Sequence, residues 1–167
     1  MEPVTIRCER DGDAVRDVLR KAFDRDDEAD LVERLREDDD VTLSLVAVVE
    51  GQPVGHVLFC PITIQTSQGP VPALALAPLA VLPERQRRGI GAQLVRDGLL
   101  GVTNLGHRIV TVLGEPKYYS RFGFTHHAAE GLDVPFDRGY WMAMELVPGS
   151  LEGVGGRVVY PRAFGIE

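Results

Sequence analysis

The segment from Arg85 to Gly91 combines residue types that suit anion binding. It contains three arginines and two glycines, in the order Arg85, Gln86, Arg87, Arg88, Gly89, Ile90, Gly91. The first turn of a helix has free N–H groups and a partial positive charge, and glycine has no side chain that would keep a phosphate away from them. The segment therefore predicts a main-chain cradle for a pyrophosphate. The alternative is a tight strand-to-helix turn on a solvated basic edge.

Several other reactive sites do not fit the sequence. A P-loop needs a lysine and a hydroxyl that this turn lacks, and a dinucleotide fingerprint needs a third glycine where Leu94 stands. No G-x-S-x-G elbow of a serine hydrolase is present. The histidines have no i,i+4 pairing, and we expect no metal; they are His56, His107, His126 and His127.

The hydrophobic pattern predicts the elements that hold this turn. Before it, we expect a strand over residues 4–9, a helix over 14–23 capped by Asp13, and a second helix that buries Ala29, Leu31, Val32 and Leu35. Three consecutive strands follow, over residues 43–49, 54–65 and 73–82. The third is apolar on both faces, which indicates a central strand, and Pro78 within it predicts a bulge.

Helical periodicity begins after the turn. The pattern predicts a helix over residues 89–105, a buried strand over 109–113, helical turns over 116–121, strands over 124–128 and 140–147, and a glycine-rich tail over 149–167. The strand–helix–strand unit around the turn should form a parallel pair by a right-handed crossover. The order as a whole predicts a mixed α/β domain.

Two motifs resemble the GCN5-related N-acetyltransferases (GNAT). Gln86-Arg87-Arg88-Gly89-Ile90-Gly91 is similar to the family's [QR]-x-x-G-x-[GA] signature, and Tyr118-Tyr119-Ser120-Arg121-Phe122-Gly123-Phe124 is similar to its Y-x-x-x-G-F segment. The element order agrees over nearly the whole chain, and the Y-Y-x-R-F-G-F form of the second motif looks most like small bacterial members. The resemblance implies one acyl-CoA-binding domain over residues 1–167. It also implies a mostly antiparallel sheet with a central parallel strand pair, flanked by helices.

The resemblance also implies a role for each matching residue. Acetyl-CoA would be the co-substrate, its pyrophosphate bound by main-chain N–H groups of the signature and its pantetheine arm paired with the preceding strand. An N–H near the Pro78 bulge would polarise the acetyl carbonyl. Tyr119 would be the general acid that protonates the CoA thiolate. The implied cofactor-binding residues are Leu79, Ala80, Val81, Gln86, Arg87, Arg88, Gly89, Ile90, Gly91, Ala92 and Tyr119.

The chain departs from the family pattern at the general base. Many members have an acidic residue in the strand before the signature, whereas residues 73–80 contain none. Only about one alkylamine in a thousand is neutral at pH 7, so a base is desirable. The candidates are Glu115, His56, His126 and His127. We interpret Tyr118 as a packing residue, and Arg121 as a surface arginine that can reach a CoA phosphate.

Composition limits the partners. The net charge is −7, from 18 basic and 25 acidic residues, which argues against nucleic acid. The acidic residues 24–30 and 38–40 can attract a cationic acceptor, or form a solvated face.

We expect no membrane span, and the two cysteines, Cys8 and Cys60, indicate the cytoplasm. The expected reaction is acetyl transfer to a primary amine of a small molecule, a peptide or a protein. The alternatives are another acyl-CoA or acceptor, or an acyl-CoA sensor without turnover. A homodimer through the C-terminal strand is a further interpretation.

Overall fold

A computed structural model describes residues 3–166 of the protein. In this range there are eight strands: β1 (Thr5–Cys8), β2 (Leu43–Val49), β3 (Gln52–Thr66), β4 (Gly69–Val81), β5 (Ile109–Leu113), β6 (Leu132–Asp133), β7 (Trp141–Glu145) and β8 (Gly156–Val159). The α-helices of the same range are α1 (Val15–Phe23), α2 (Asp27–Glu37), α3 (Ile90–Asn104) and α4 (Pro116–Tyr119).

The strands form one sheet with the order β1-β2-β3-β4-β5-β7. Most pairs are antiparallel, and the central β4–β5 pair is parallel, with Leu74 opposite Val110 and Leu76 opposite Val112. The long β3 pairs with β2 through its first half and with β8 through its second half, and β6 lies parallel to β8. The predicted mixed sheet with a central parallel pair is therefore confirmed.

Successive side chains of β3 and β4 point to opposite faces of the sheet and form two hydrophobic cores, one on each face. Leu58 and Cys60 lie in a buried cluster with the apolar faces of α1 and α2. Val57 and Phe59 lie in a second cluster with Leu94 and the rest of the apolar stripe of α3. Because β4 is covered on both faces, it is apolar throughout, as its sequence predicts.

Local chemistry differs from the sequence prediction at the start of α1. The N-cap residue is Ala14, and it makes no side-chain cap hydrogen bond. The carboxylate of Asp13 instead accepts hydrogen bonds from the Arg7 guanidinium at 2.9 and 3.0 Å and from the Arg10 N–H at 2.7 Å. An ionic partner on β1 therefore takes the acceptor that would otherwise cap the helix, and the capping prediction is wrong.

Two predictions for the last third of the chain are also wrong. Residues 124–128 form a single bridge, Thr125 to Ala143, followed by a 3₁₀ turn at His127–Ala129, so His126 and His127 do not lie on a strand. The glycine-rich tail contains β8, which pairs with residues of β3 that are more than ninety positions away. Pairing at such a distance leaves no periodic signal in a short segment rich in glycine.

Candidate active site

A gap opens between β4 and β5 next to Pro78. The two strands pair at residues 74–76 and 110–112. The register of β3 with β4 then shifts between Val57 and Phe59, opposite Ala77 and Pro78, so that the predicted bulge is present. Beyond it, Leu79, Ala80 and Val81 pair with β3 but, within residues 3–166, not with β5. One edge of this three-residue segment is therefore available to an extended ligand.

The turn after this segment directs backbone N–H groups into the same gap. Arg87 and Gly89 have left-handed backbones, with φ of 64° and 83°. Gly89 is the N-cap of α3, makes no side-chain cap and is followed by a first helical turn without acidic residues. The helix start therefore keeps its free N–H groups and its partial positive charge, which together bind an anion.

The gap and the turn form one cavity of about 490 Å³. It is lined by Leu79, Val81, Arg85, Gln86, Arg87, Gly89, Ile90, Gly91, Ala92, Tyr118 and Arg121. Eight of the predicted binding residues are in this lining. Of the other three, Ala80 turns its methyl group into the core on the α1 side, Arg88 is exposed outside the lining, and Tyr119 lies behind Tyr118.

The two tyrosines of α4 occupy different environments. Tyr118 lines the cavity, and its hydroxyl approaches Gly91 so closely that a Cβ there would lie 2.6 Å away. Tyr119 packs edge-on against Phe124, with ring centroids 5.8 Å apart, and against Gly114. Burial raises the pKa of both phenols, more strongly for Tyr119. Both side chains therefore remain protonated at neutral pH and can donate a proton or a hydrogen bond.

Comparison with known proteins decides the family. The profile of the family described as "Acetyltransferase (GNAT) domain" matches residues 6–127. The chain belongs to the GNAT family of acetyltransferases. It is 38% identical over 164 residues to an uncharacterized N-acetyltransferase, YhbS, of Escherichia coli K12. The aligned region covers 96% of this chain and 97% of YhbS. It is also 38% identical over 158 residues to the uncharacterized N-acetyltransferase YjhQ of the same strain, and that alignment covers 89% of this chain and 87% of YjhQ.

Solved structures agree with this assignment. E. coli YhbS in complex with CoA superposes with a TM-score of 0.91 and 36% identity, over 99% of this chain and 93% of that chain. A GNAT acetyltransferase from Brucella melitensis in complex with acetyl-CoA superposes with a TM-score of 0.81 and 34% sequence identity. The match covers 98% of this chain and 99% of that chain. The fold of this GNAT acetyltransferase is thus shared with proteins that bind CoA or acetyl-CoA.

The four candidate bases of this GNAT acetyltransferase lie outside the cavity lining. Glu115 is exposed at the N-cap of α4. His126 Nδ1 lies 3.1 Å from the Trp141 carbonyl oxygen, and His127 is 89% exposed beside Glu130. His56 is fully buried on β3, and desolvation, with a smaller contribution from the Arg36 charge, lowers its pKa to about 3. None of the four lines the cavity.

The cavity also contains Arg85 and Arg121, which the sequence offered as positive charge near a phosphate, and Tyr118, which the sequence analysis interpreted only as a packing residue. Arg121 donates from Nε to the Tyr118 carbonyl at 3.1 Å, and its guanidinium carbon lies 4.4 Å from the centre of the Tyr118 ring. A signal was present, since positions 118 and 121 lie three residues apart on helical turns and therefore share a face. Tyr119 matches the family's general acid, whereas Tyr118 is the tyrosine that lines the cavity.

The structure gives two further results for the described residues. In the range 3–166, no group of three or more His, Cys, Asp or Glu side chains is arranged to hold a metal ion. No helix of that range is both long and apolar enough to cross a membrane.

Proposed function

We propose that this GNAT acetyltransferase binds acetyl-CoA in the gap between β4 and β5 and transfers the acetyl group to a primary amine of a small molecule or peptide. The observation that carries the proposal is the junction of an unpaired strand edge, Leu79–Val81, with the uncapped start of α3 in one cavity. The pantetheine arm of CoA carries amides that can pair with a strand edge, and its pyrophosphate suits a helix N-terminus. The two relatives solved with CoA and acetyl-CoA support this assignment.

In this arrangement, the N–H groups of residues 87–92 bind the pyrophosphate and Arg85 and Arg121 add positive charge. The pantetheine extends along Leu79 and Ala80. Val81 is different, because its carbonyl already accepts a hydrogen bond from Gln86 Nε2 at 3.1 Å. The Leu79 N–H, next to the bulge, polarises the acetyl carbonyl and stabilises the oxyanion that forms when the amine attacks.

Tyr119 is the proposed general acid. The amine nitrogen attacks the acetyl carbon, the tetrahedral intermediate collapses, and the C–S bond breaks as the phenol gives its proton to the sulfur. The products are the N-acetylated acceptor and CoA. Burial raises the pKa of Tyr119, so the phenol is protonated at neutral pH. Tyr118 lines the cavity, so we assign it to contact with the bound cofactor.

Helix α2 and its flanking residues carry the acidic groups that could attract a cationic acceptor. Several of these carboxylates are engaged in ion pairs: Asp26 with Arg20 at 2.7 Å, Asp30 with Arg16 at 2.9 Å and Asp38 with Arg162 at 2.6 Å. These arginines cancel much of the local negative charge, so we propose an acceptor defined by its amine rather than by strong positive charge.

The test is CoA release from acetyl-CoA over a panel of amines, with propionyl-CoA and succinyl-CoA as alternative donors. We expect turnover on at least one amine, and Tyr119→Phe should lower kcat about 100-fold without changing the Kd of acetyl-CoA. Tyr118→Phe is the matched control and should mainly alter that Kd. An unchanged kcat in Tyr119→Phe would remove its assigned role. Tight acetyl-CoA binding without turnover on any amine would favour a sensor.

A further inference from the structure

A buried hydrogen-bonded chain lies on the face of the sheet that α1 and α2 cover. His56 on β3 is 0% exposed, and its Nε2 lies 2.8 Å from Ser44 Oγ on β2. Ser44 Oγ donates in turn to Glu9 Oε1 at 2.6 Å. Glu9 follows β1, and its N–H bonds the Ser44 carbonyl at 2.9 Å. Arg36 from α2 forms an ion pair with the same carboxylate.

The hydrogen-bond partners of His56, Ser44 and Glu9 determine which His56 nitrogen carries a proton. Arg36 donates to the Glu9 carboxylate in an ion pair, and a carboxylate only accepts, so the Ser44 hydroxyl must donate to it. Ser44 Oγ then accepts from His56, which places a proton on Nε2 and leaves Nδ1 as a bare acceptor. Nδ1 is buried and has no hydrogen-bond partner among the described residues. A buried acceptor of this kind is normally satisfied by a water or a ligand.

His56 is also adjacent to the proposed acetyl-CoA site. On β4, the residue opposite His56 is Ala80, the middle residue of the segment with the unpaired edge. Neighbouring strands lie about 4.8 Å apart, so the imidazole is one strand from that edge. Ala80 belongs to the core cluster on the α1 side, and its side chain is only a methyl group. The β4 side chain between His56 and the gap is therefore a single methyl group.

We propose that His56, Ser44 and Glu9 form a proton relay that accepts the proton of the acceptor amine, an inference that rests on the proposed acetyl transfer. Through one bridging water, the amine proton passes to His56 Nδ1, the Nε2 proton passes to Ser44 Oγ, and the Ser44 proton passes to Glu9. The relay ends with a neutral imidazole in its other tautomer and a protonated Glu9. It would supply the base that β4 lacks.

The relay has an outlet to solvent. A cavity of about 510 Å³ is lined by both Glu9 and Ser44, so the proton on Glu9 can leave to water there. Because one proton arrives at the ring as another departs, His56 need not hold a positive charge. This agrees with the low pKa of His56, because burial disfavours the charged form of the ring. Within residues 3–166, the charged groups that the structure places beside these three side chains are Glu9 itself and Arg36.

Glu9→Gln tests the relay, since the amide still accepts from Ser44 but cannot take a proton. We expect kcat at pH 7 to fall about 100-fold with an unchanged Kd for acetyl-CoA. In this variant log kcat should rise with unit slope up to the pKa of the amine, because only amine that arrives neutral reacts. Glu9→Asp should restore most of the rate. Glu130→Gln, which changes the exposed His127–Glu130 pair, should match the wild type. A Glu9→Gln rate within threefold of wild type, with the same pH profile, would overturn the relay.

A second measurement needs no turnover. The ¹⁵N chemical shifts of His56 in the substrate-free enzyme should show a protonated Nε2 and a bare Nδ1 at pH 7. The opposite tautomer, or a charged ring, would overturn the relay even if the enzyme is an active transferase. A wild-type enzyme that binds acetyl-CoA but acetylates no amine would refute the proposed function, and the catalytic role of the relay with it.

Discussion

The hydroxyl of Tyr118 lies against Gly91, where an added Cβ would approach it to 2.6 Å. This contact joins the second helical position of α3 to the short helix α4, which is more than twenty residues further along the chain. Both residues line the cavity between β4 and β5. Glycine at position 91 therefore gives the backbone close access to a ligand and leaves room for the tyrosine.

The first prediction concerns this contact. Gly91→Ala should lower the affinity for acetyl-CoA about 10-fold, or about 1.4 kcal/mol, because Tyr118 must move into the cavity. Adding Tyr118→Phe should recover part of the loss, since the nearest remaining ring carbon is 3.8 Å from the new Cβ. Isothermal titration calorimetry measures both variants. Gly101→Ala, which meets the end of the Leu43 side chain at the far end of α3, should leave the affinity unchanged.

The second prediction concerns Gly89, whose φ is 83° and whose Cβ position is open. Gly89→Glu should abolish CoA binding, because a carboxylate would enter the proposed pyrophosphate site, while circular dichroism shows an intact fold. Gly106→Glu is the matched control: its φ is 93°, its Cβ position is equally open, and it follows the other end of α3. Both changes strain a left-handed backbone by about 1–2 kcal/mol. Normal CoA affinity in Gly89→Glu would mean that the pyrophosphate lies elsewhere.

The third prediction concerns acid stability. Burial lowers the His56 pKa from 6.5 to about 3, so the folded state holds the neutral ring and the unfolded state charges it first. The contribution of His56 to stability is complete above pH 6.5 and is lost as the pH falls from 6.5 towards 3. The Tm of wild type should therefore fall between pH 7.5 and 4.5 more than that of His56→Gln. The exposed His127→Gln variant should follow the wild-type curve, and parallel curves for all three proteins would contradict the assignment.

The fourth prediction concerns the two thiols. Cys8 is exposed, whereas Cys60 is buried, which raises its pKa to about 12. An aromatic disulfide reagent at pH 8 should therefore titrate one thiol per chain quickly and the second only after denaturant unfolds the protein. Cys8→Ser should remove the fast phase. A rapid reaction of two thiols in the native protein would show that Cys60 is accessible.

The central part of the fold could be predicted because its signals are local. The strand pattern of β2 to β4, the bulge at Pro78 and the stripe of α3 each follow from residues close together in the chain. The turn at Arg85–Gly91 was predicted as an anion site because glycines and arginines at a helix start have that chemistry by themselves. The strand β8 was not predicted, since it depends on pairing with distant residues of β3.

The sequence by itself determined the GNAT family, the mixed sheet and the position of the proposed cofactor turn, because motif spacing and periodicity are properties of the chain. Only the tertiary structure decided that Tyr118 rather than Tyr119 lines the cavity and that Asp13 binds Arg7 instead of capping α1. It also joined Glu9, Ser44 and His56, which come from three different strand regions, into one hydrogen-bonded chain. The physical reason is the same in each case: side-chain partners are set by sheet register and helix packing, which bring together residues whose separation in the sequence carries no information.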